Sequence, residues 1–454
     1  MKAPNPPPDT SKFYEKLPNL QENPQEFTRF MSVAMSLDSQ GEYLHWDKLR
    51  FKPLPQFLPE NVTLEEYWHA IKFNRATSSK PLPFVPKDKE DIPFSFCRPD
   101  CLLADLRHID IKAGGMVSTG HEAIGHEDSQ RYLTRSILEE PFSSSVLEGA
   151  ATTRLKAQAL IEQGEKPLTK DDRMVLNNYK AMMFIKEHID SDLTPAIILE
   201  CHKIITDGTL DRPEMAGQLR DNNDIVVGDE YGEIFHEPPN FTELEKRLQT
   251  LCEFANAGEG ENSLYIHPIT RAIILHFILA YDHPFIDGNG RTARALFYWS
   301  ALRSGYWIIE YISISKIIKN AQVKYGKAFL YTETDDNDVT YFIMHQLDVI
   351  KRAIAELEKY LDRQKTKYKN TENLLSAETL NHRQKHLLTE LIRKRVFVIT
   401  IDKHQRLHDV SYLTARKDLD DLRKDKWLTK KNVGRKYYYY PGRALENLQN
   451  QQTN

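Results

Sequence analysis

Between Asp282 and Arg294 the chain reads Asp-His-Pro-Phe-Ile-Asp-Gly-Asn-Gly-Arg-Thr-Ala-Arg. Gly288 and Gly290 permit a tight turn and a close backbone approach. An apolar helical pattern precedes the segment and another begins near Arg291, so Gly288, Asn289 and Gly290 fall at a predicted helix N-terminus. Unpaired amides at such a place form an anion-binding nest, helped by the helix dipole. Arg291 and Arg294 stand three apart on the first turn and can face the same anion, and guanidinium groups suit bidentate phosphate contacts. Asp287 is an oxygen donor beside a phosphate site, where Mg²⁺ is expected. His283 enters from the other side of the loop and can act as a general base near neutral pH. Phe285 and Ile286 are expected to bury themselves and anchor the loop. A base, a metal ligand and two arginines around a polyphosphate suit phosphoryl or nucleotidyl transfer, where positioning and charge stabilisation dominate. Taken singly, each residue fits a plain glycine turn with surface arginines; it is the combination that points to chemistry.

The elements that must hold this loop are mostly helical. From about 126 to 350 the apolar spacing predicts helices over about 170–189, 194–206, 241–256, 267–280, 291–304 and 338–361. Pro195 suits the first turn of one of them. Upstream, Leu133, Ile137 and Leu138 begin an apolar stripe that Val146, Leu147 and Ala150 continue, and Pro141 opens a new helix with Ser143 to Ser145 near its first turn. Asn223 to Glu237 reads as a short β-hairpin closed by Pro238 and Pro239. Residues 1–125 are an irregular N-terminal region with a disordered lead and proline-rich connections. A charged linker helix follows over 351–374, then a further domain over 375–445 and a tail over 446–454.

His283 to Arg294 resembles the Fic family, whose motif H-x-F-x-[D/E]-G-N-G-R-x-x-R it meets at every fixed position. The likeness extends over 126–350 and includes Ile266-His-Pro-Ile, Gly217 to Arg220 and Asn177-Asn-Tyr. It implies a mainly α fold: a Fic helical core with a short β-hairpin flap. It also implies a protein adenylyltransferase with ATP and Mg²⁺. His283 would deprotonate a target Ser, Thr or Tyr hydroxyl, which attacks the α-phosphate. Asp287 would hold Mg²⁺. Gly288, Asn289, Gly290, Arg291 and Thr292 would cradle the phosphates, Arg294 would reach the γ-phosphate, and Tyr325 would line the nucleotide. The hairpin would be the flap that pins a target segment by strand addition. The retained Gly288 to Arg291 run favours nucleotide monophosphate transfer over phosphorylation alone.

Ser144 to Gly149 fits the family's inhibitory pattern [S/T]-x-x-x-E-[G/N]. The likeness implies that Glu148 pairs with Arg294 and takes it from the γ-phosphate, with Gly149 letting the helix approach closely. Two other readings remain: removal of AMP, with Glu148 positioning water, and an ATP-sensing DNA-binding regulator.

The C-terminal segment orders three helices and a hairpin, and Val410 to Leu422 resembles the recognition helix of winged helix-turn-helix regulators. Ser411 is its expected N-cap. Lys430, Lys431, Arg435 and Lys436 form a basic wing suited to DNA phosphates, against which Asp418, Asp420 and Asp421 count. With 454 residues, 40% hydrophobic and 28% charged, and a net charge of −4, the chain has the composition of a multi-domain globular protein. The balance requires no polyanion or membrane partner. Four cysteines do not make a disulfide scaffold, and Cys97 with Cys101 has no second ligand pair at zinc-finger spacing. The polar, proline-rich start predicts no secretory signal, and the longest apolar run, Ala272 to Tyr281, is too short for a bilayer. These features predict a cytoplasmic protein. Its expected partners are ATP, a target protein, the chain itself as a modification target, a second copy in a homodimer, and DNA at the C-terminal domain.

Overall fold

The computed structural model describes residues 2–9, 24–35, 42–56, 58, 62–83, 85–114, 138–228, 232–257, 265–377, 380–392, 398–433 and 436–445. It divides into two units, Met1–Leu357 and Glu358–Asn454.

Among its described residues the first unit is helical apart from two small two-stranded ribbons and connecting loops. Its N-terminal part holds α1 (Pro24–Met35), α2 (Trp46–Leu49) and α3 (Leu64–Ser78), then the ribbon β1 (Lys80–Pro81) with β2 (Ser95–Phe96), and α4 (Asp100–Ile109). Thr63 opens α3 with a capping box: its hydroxyl accepts from Glu66 N while the Glu66 carboxylate accepts from Thr63 N. Its further helices are α5 (Glu139–Leu147), α6 (Arg154–Glu162), α7 (Lys170–Glu187), α8 (Pro195–Thr206), α9 (Leu244–Asn256), α10 (Pro268–Asp282), α11 (Asn289–Arg303), α12 (Ile314–Lys319), α13 (Gln322–Glu333) and the first part of α14 (Thr340–Ala377). Between α8 and α9 lies the antiparallel ribbon β3 (Val227–Gly228) with β4 (Ile234–His236).

At the centre stand α10 and α11. Ala272 to Leu279 of α10 is buried residue after residue, and a helix buried on every side must be wrapped by others. Pro268 occupies the first turn of α10, and the His267 ring accepts from Ile269 N at its start. Thr169 and Thr194 cap α7 and α8 through their hydroxyls.

Two expectations change here. The buried face of α5 is polar rather than an apolar stripe: Glu140, Ser143, Ser144 and Ser145 are buried, while Val146 and Leu147 are only partly so. The reason is that these groups find partners: Ser145 Oγ donates to Pro141 O at 2.8 Å, and Asn178 Nδ2 reaches the same carbonyl at 3.2 Å. Leu133 and Ile137 lie outside the described residues. The charged linker is also no separate element, since α14 runs unbroken from Thr340 to Ala377. Helices α6, α12 and α13 were not expected; each is short or opens without a strong apolar period.

The second unit holds α15 (His382–Ile392), α16 (Ile401–His408), α17 (Tyr412–Lys424) and the hairpin β5 (Leu428–Val433) with β6 (Lys436–Pro441). Ile399, just before α16, bridges antiparallel to Tyr439 on β6. Leu387, Leu388, Leu391, Leu419, Leu422 and Trp427 lie in the core of this unit. Arg435 and residues 396–397 fall outside the described set. Among the described residues, no helix is long and apolar enough to cross a membrane.

Candidate active site

The loop between α10 and α11 is fixed from both ends. His283 ends α10 in the left-handed region, at φ 44° and ψ 55°, with its amide on Leu279 O. Gly288 opens α11, also left-handed at φ 85°, and no side chain caps that start. A side chain at 288 would crowd Thr206 and His202 as well as straining the backbone. Phe285 is fully buried, as expected of an anchor. Asn289 closes the loop on itself: its Oδ1 accepts from Phe285 N at 2.9 Å and its Nδ2 donates to Phe285 O at 2.8 Å. The Asn289 side chain therefore shapes the loop, and only its backbone is left for a phosphate. The Thr292 hydroxyl is likewise spent inside the helix, on Gly288 O at 2.9 Å.

Arg291 is 1% exposed. It touches Ile205 O at 3.3 Å and Asp287 Oδ1 at 3.4 Å, while its Nε is buried with no hydrogen-bond partner. Burial pulls this guanidinium below its usual range. An unpaired buried donor at an uncapped helix start is what an anion would satisfy. Asp287 keeps a half-exposed carboxylate. No cluster of three or more His, Cys, Asp or Glu exists among the described residues, so a Mg²⁺ ion would be held by Asp287 together with substrate phosphates, its usual habit.

The His283 ring is partly buried and its Nδ1 lies 3.2 Å from Ala280 O. A carbonyl only accepts, so Nδ1 carries the proton and Nε2 is the basic nitrogen. Burial lowers the His283 pKa to about 4.

Arg294 is 2% exposed. Its Nε donates to Ser144 Oγ at 3.0 Å, and a terminal nitrogen reaches Glu148 Oε1 at 2.8 Å and Ser144 O at 3.4 Å. Glu148 is the C-cap of α5, and its carboxylate crowds Gly290 so closely that a β-carbon there would collide with it. Gly149 does not serve close approach, contrary to expectation: a β-carbon there would meet nothing within 4 Å. Its φ of 95° is the reason for a glycine. Ala150 N bonds Ser145 O and Gly149 N bonds Val146 O, the Schellman pattern that ends a helix. The Tyr325 hydroxyl reaches the same region, 2.9 Å from His276 Nε2 and feeling the charge of Arg294.

Sequence reasoning missed four supports. His202 stacks on Phe285 at 3.7 Å between ring centroids. Its Nδ1 accepts from Gly217 N at 3.0 Å, so Nε2 donates to Asp287 O at 2.9 Å. Arg220 donates to His283 O and Asn222 O and also bonds Pro239 O, tying the loop to the base of the β3–β4 ribbon. Glu140, buried on the first turn of α5, accepts from Ser313 Oγ at 2.7 Å, Ser315 N at 3.0 Å and Ser315 Oγ at 2.5 Å. Asp282 holds the end of α10 by pairing with Arg247 at 2.5 Å. The quoted stretches Gly217 to Arg220 and Asn177-Asn carried some of this; His202 and Glu140 had no local signal.

The helical pair joined by this glycine bend, with a histidine before it and two buried arginines after it, falls within a family match: residues 192–301 fit the model described as Fic/DOC family. Protein adenylyltransferase Fic of Drosophila yakuba is 29% identical over 206 residues, covering 44% of this chain and 39% of that protein. Protein adenylyltransferase Fic of Nematostella vectensis is 27% identical over 185 residues, covering 39% and 40%. The chain thus spans about two-fifths of the length of these curated relatives. A solved Fic family protein from Desulfovibrio desulfuricans G20 shares the fold, with a TM-score of 0.50, 18% identity and coverage of 75% of this chain and 95% of that one.

Proposed function

We propose that the chain is a protein adenylyltransferase, moving AMP from ATP to a hydroxyl of a protein target, and that Glu148 restrains it. The observation that carries this reading is Arg291 Nε, buried without a partner beside an uncapped helix start. A bound anion at that place would offset the desolvation penalty of such a donor, about 1–3 kcal/mol. In the reaction, His283 Nε2 takes the hydroxyl proton as the oxygen bonds the α-phosphorus. The α-phosphorus–oxygen bond to the β-phosphate breaks and pyrophosphate leaves with that electron pair. Amides at Gly288 to Arg291, with the Arg291 guanidinium, hold the phosphates in line. Mg²⁺ on Asp287 would neutralise phosphate charge. The β3–β4 ribbon, tied to the loop through Arg220, is suited to holding an extended target segment.

Glu148 and Ser144 together occupy Arg294, which would otherwise meet the γ-phosphate. A carboxylate at that point repels a phosphate and keeps ATP out of line for attack. Intact mass spectrometry of the chain after incubation with Mg²⁺ and each nucleotide tests the reading. Addition of one AMP from ATP alone, larger in Glu148→Gly and absent in His283→Ala, supports it. No adduct on the chain or on any added protein in any of the three sinks it.

A second activity rests on the C-terminal unit, read as a winged helix-turn-helix that contacts DNA. Its supporting observation concerns the acids of α17. Asp418 is buried on Arg383 at 2.7 Å and on Asn381 and His404, and Asp420 lies among Arg416, Arg423 and Lys430. These carboxylates, and Asp421 on Lys424 at 3.2 Å, are committed within the unit, and exposed Lys417 and Lys431 remain for phosphates. Salt-dependent retardation of duplex DNA by the full chain, weakened in Lys417→Glu/Lys431→Glu, tests it; retardation unchanged in that variant counts against it.

A further inference from the structure

Away from the glycine bend, α2, α13 and the start of α14 enclose a cleft of about 270 Å³ lined by Lys48, Lys324, Lys327, His45, Tyr331 and His345, among others. Three ammonium groups there face one lining carboxylate, Asp348, which pairs with Arg352 at 2.9 Å. Lys327 reaches Asp47 at 3.1 Å. That carboxylate is shared: it also accepts from Asn5 N, Asn5 Nδ2 and Tyr331 OH. The nearby Glu42 pairs with Lys52. The lysines are thus under-neutralised in a chain whose overall charge is −4.

The cost of this arrangement shows in Lys48. Partial desolvation, then Lys324 and Lys327, pull its ammonium below the usual lysine range. A second observation points the same way. His345 lines the cleft, and its Nδ1 is buried without a hydrogen-bond partner. Burial lowers its pKa to about 4, with Lys48 and Lys324 adding to the effect, so it offers a neutral ring beside the lysines. Lysine behaves as a mobile point charge that suits phosphate oxygens. Tyr331 is already stacked on His45 at 4.3 Å, which leaves little aromatic face for a nucleobase. Small volume and excess positive charge favour a compact anion over a nucleoside.

We propose that this cleft binds a compact polyphosphate anion, of which inorganic pyrophosphate is the simplest, at a site separate from the Gly288–Arg294 helix start. The site is carried by α13, the helix whose Tyr325 meets the Arg294 region on another side. Binding of radiolabelled inorganic pyrophosphate to the full chain, by equilibrium dialysis in metal-free buffer at fixed ionic strength, tests it. The comparison sets wild type against Lys48→Gln/Lys324→Gln and against Arg291→Gln/Arg294→Gln. Saturable binding that survives in the arginine variant and weakens at least tenfold in the lysine variant is expected. Binding unchanged in the lysine variant, or lost in the arginine variant, or not saturable in wild type, overturns it. The single change Lys324→Gln, at an exposed position, should weaken binding with no change in unfolding temperature, and serves if the double lysine variant does not fold.

Discussion

The carboxylate of Glu148 lies 2.8 Å from the guanidinium of Arg294, and both residues are held there by the backbone that carries them. Arg294 is on the first turns of α11, and Glu148 closes α5 in a Schellman turn. The pair joins the start of α11 to a helix 146 residues earlier in the chain. Several outcomes depend on it.

Glu148→Gly should raise AMP transfer. Removing a charge-assisted bond worth about 1.5–3 kcal/mol frees Arg294 for phosphate and corresponds to roughly a ten- to hundredfold gain at limiting ATP. Transfer measured with radiolabelled ATP should show it, and a rate equal to wild type would remove Glu148 from the account.

Glu140→Ala should loosen the same restraint from a distance. It strands the Ser315 amide and two hydroxyls now bonded to the carboxylate, at about 1–3 kcal/mol. The unfolding temperature should fall while transfer rises. A lower unfolding temperature with unchanged transfer would mean that α5 keeps its place without this anchor.

Transfer by Glu148→Gly should stay flat as pH falls below the ordinary histidine range. His283 is already neutral above its value of about 4, so the base form is lost only as pH drops through that value. A pH–rate profile with a midpoint near 6.5 would show that the ring is not held in this buried setting.

Folding stability should decline on acidification. His45 and His202 both sit near 4 through burial, and His276 is lowered for the same reason. A histidine held neutral in the fold contributes its full stability above the unfolded pKa of about 6.5. That contribution is lost as pH falls from about 6.5 toward about 4, by up to roughly 1.4 kcal/mol per ring per pH unit. Urea midpoints across that range should fall, with a shallower fall in His202→Asn.

His202→Asn should also slow AMP transfer. The shorter side chain loses the stack on Phe285 and cannot reach both Gly217 N and Asp287 O. A lower kcat with a modest change in KM for ATP is expected, because the residue orients the loop and is not itself in contact with phosphate. Unchanged kinetics in a folded variant would show that Asn289 alone shapes the bend.

The sequence by itself determined the bend and the residue types that flank it. Glycines at 288 and 290, a histidine before them and arginines three apart are local facts, and so are the periods of α7, α8, α10 and α11. Local pattern suffices because backbone freedom and helix registry depend on near neighbours. Only the tertiary structure decided what surrounds the bend. That Arg294 rests on Glu148 and Ser144, that His202 and Arg220 brace the loop, and that α5 is buried through a carboxylate are contacts between residues far apart in the chain. A buried Glu140 and an exposed glutamate read alike in a string of letters. Their difference is made when donors from another helix arrive to offset the desolvation of one of them.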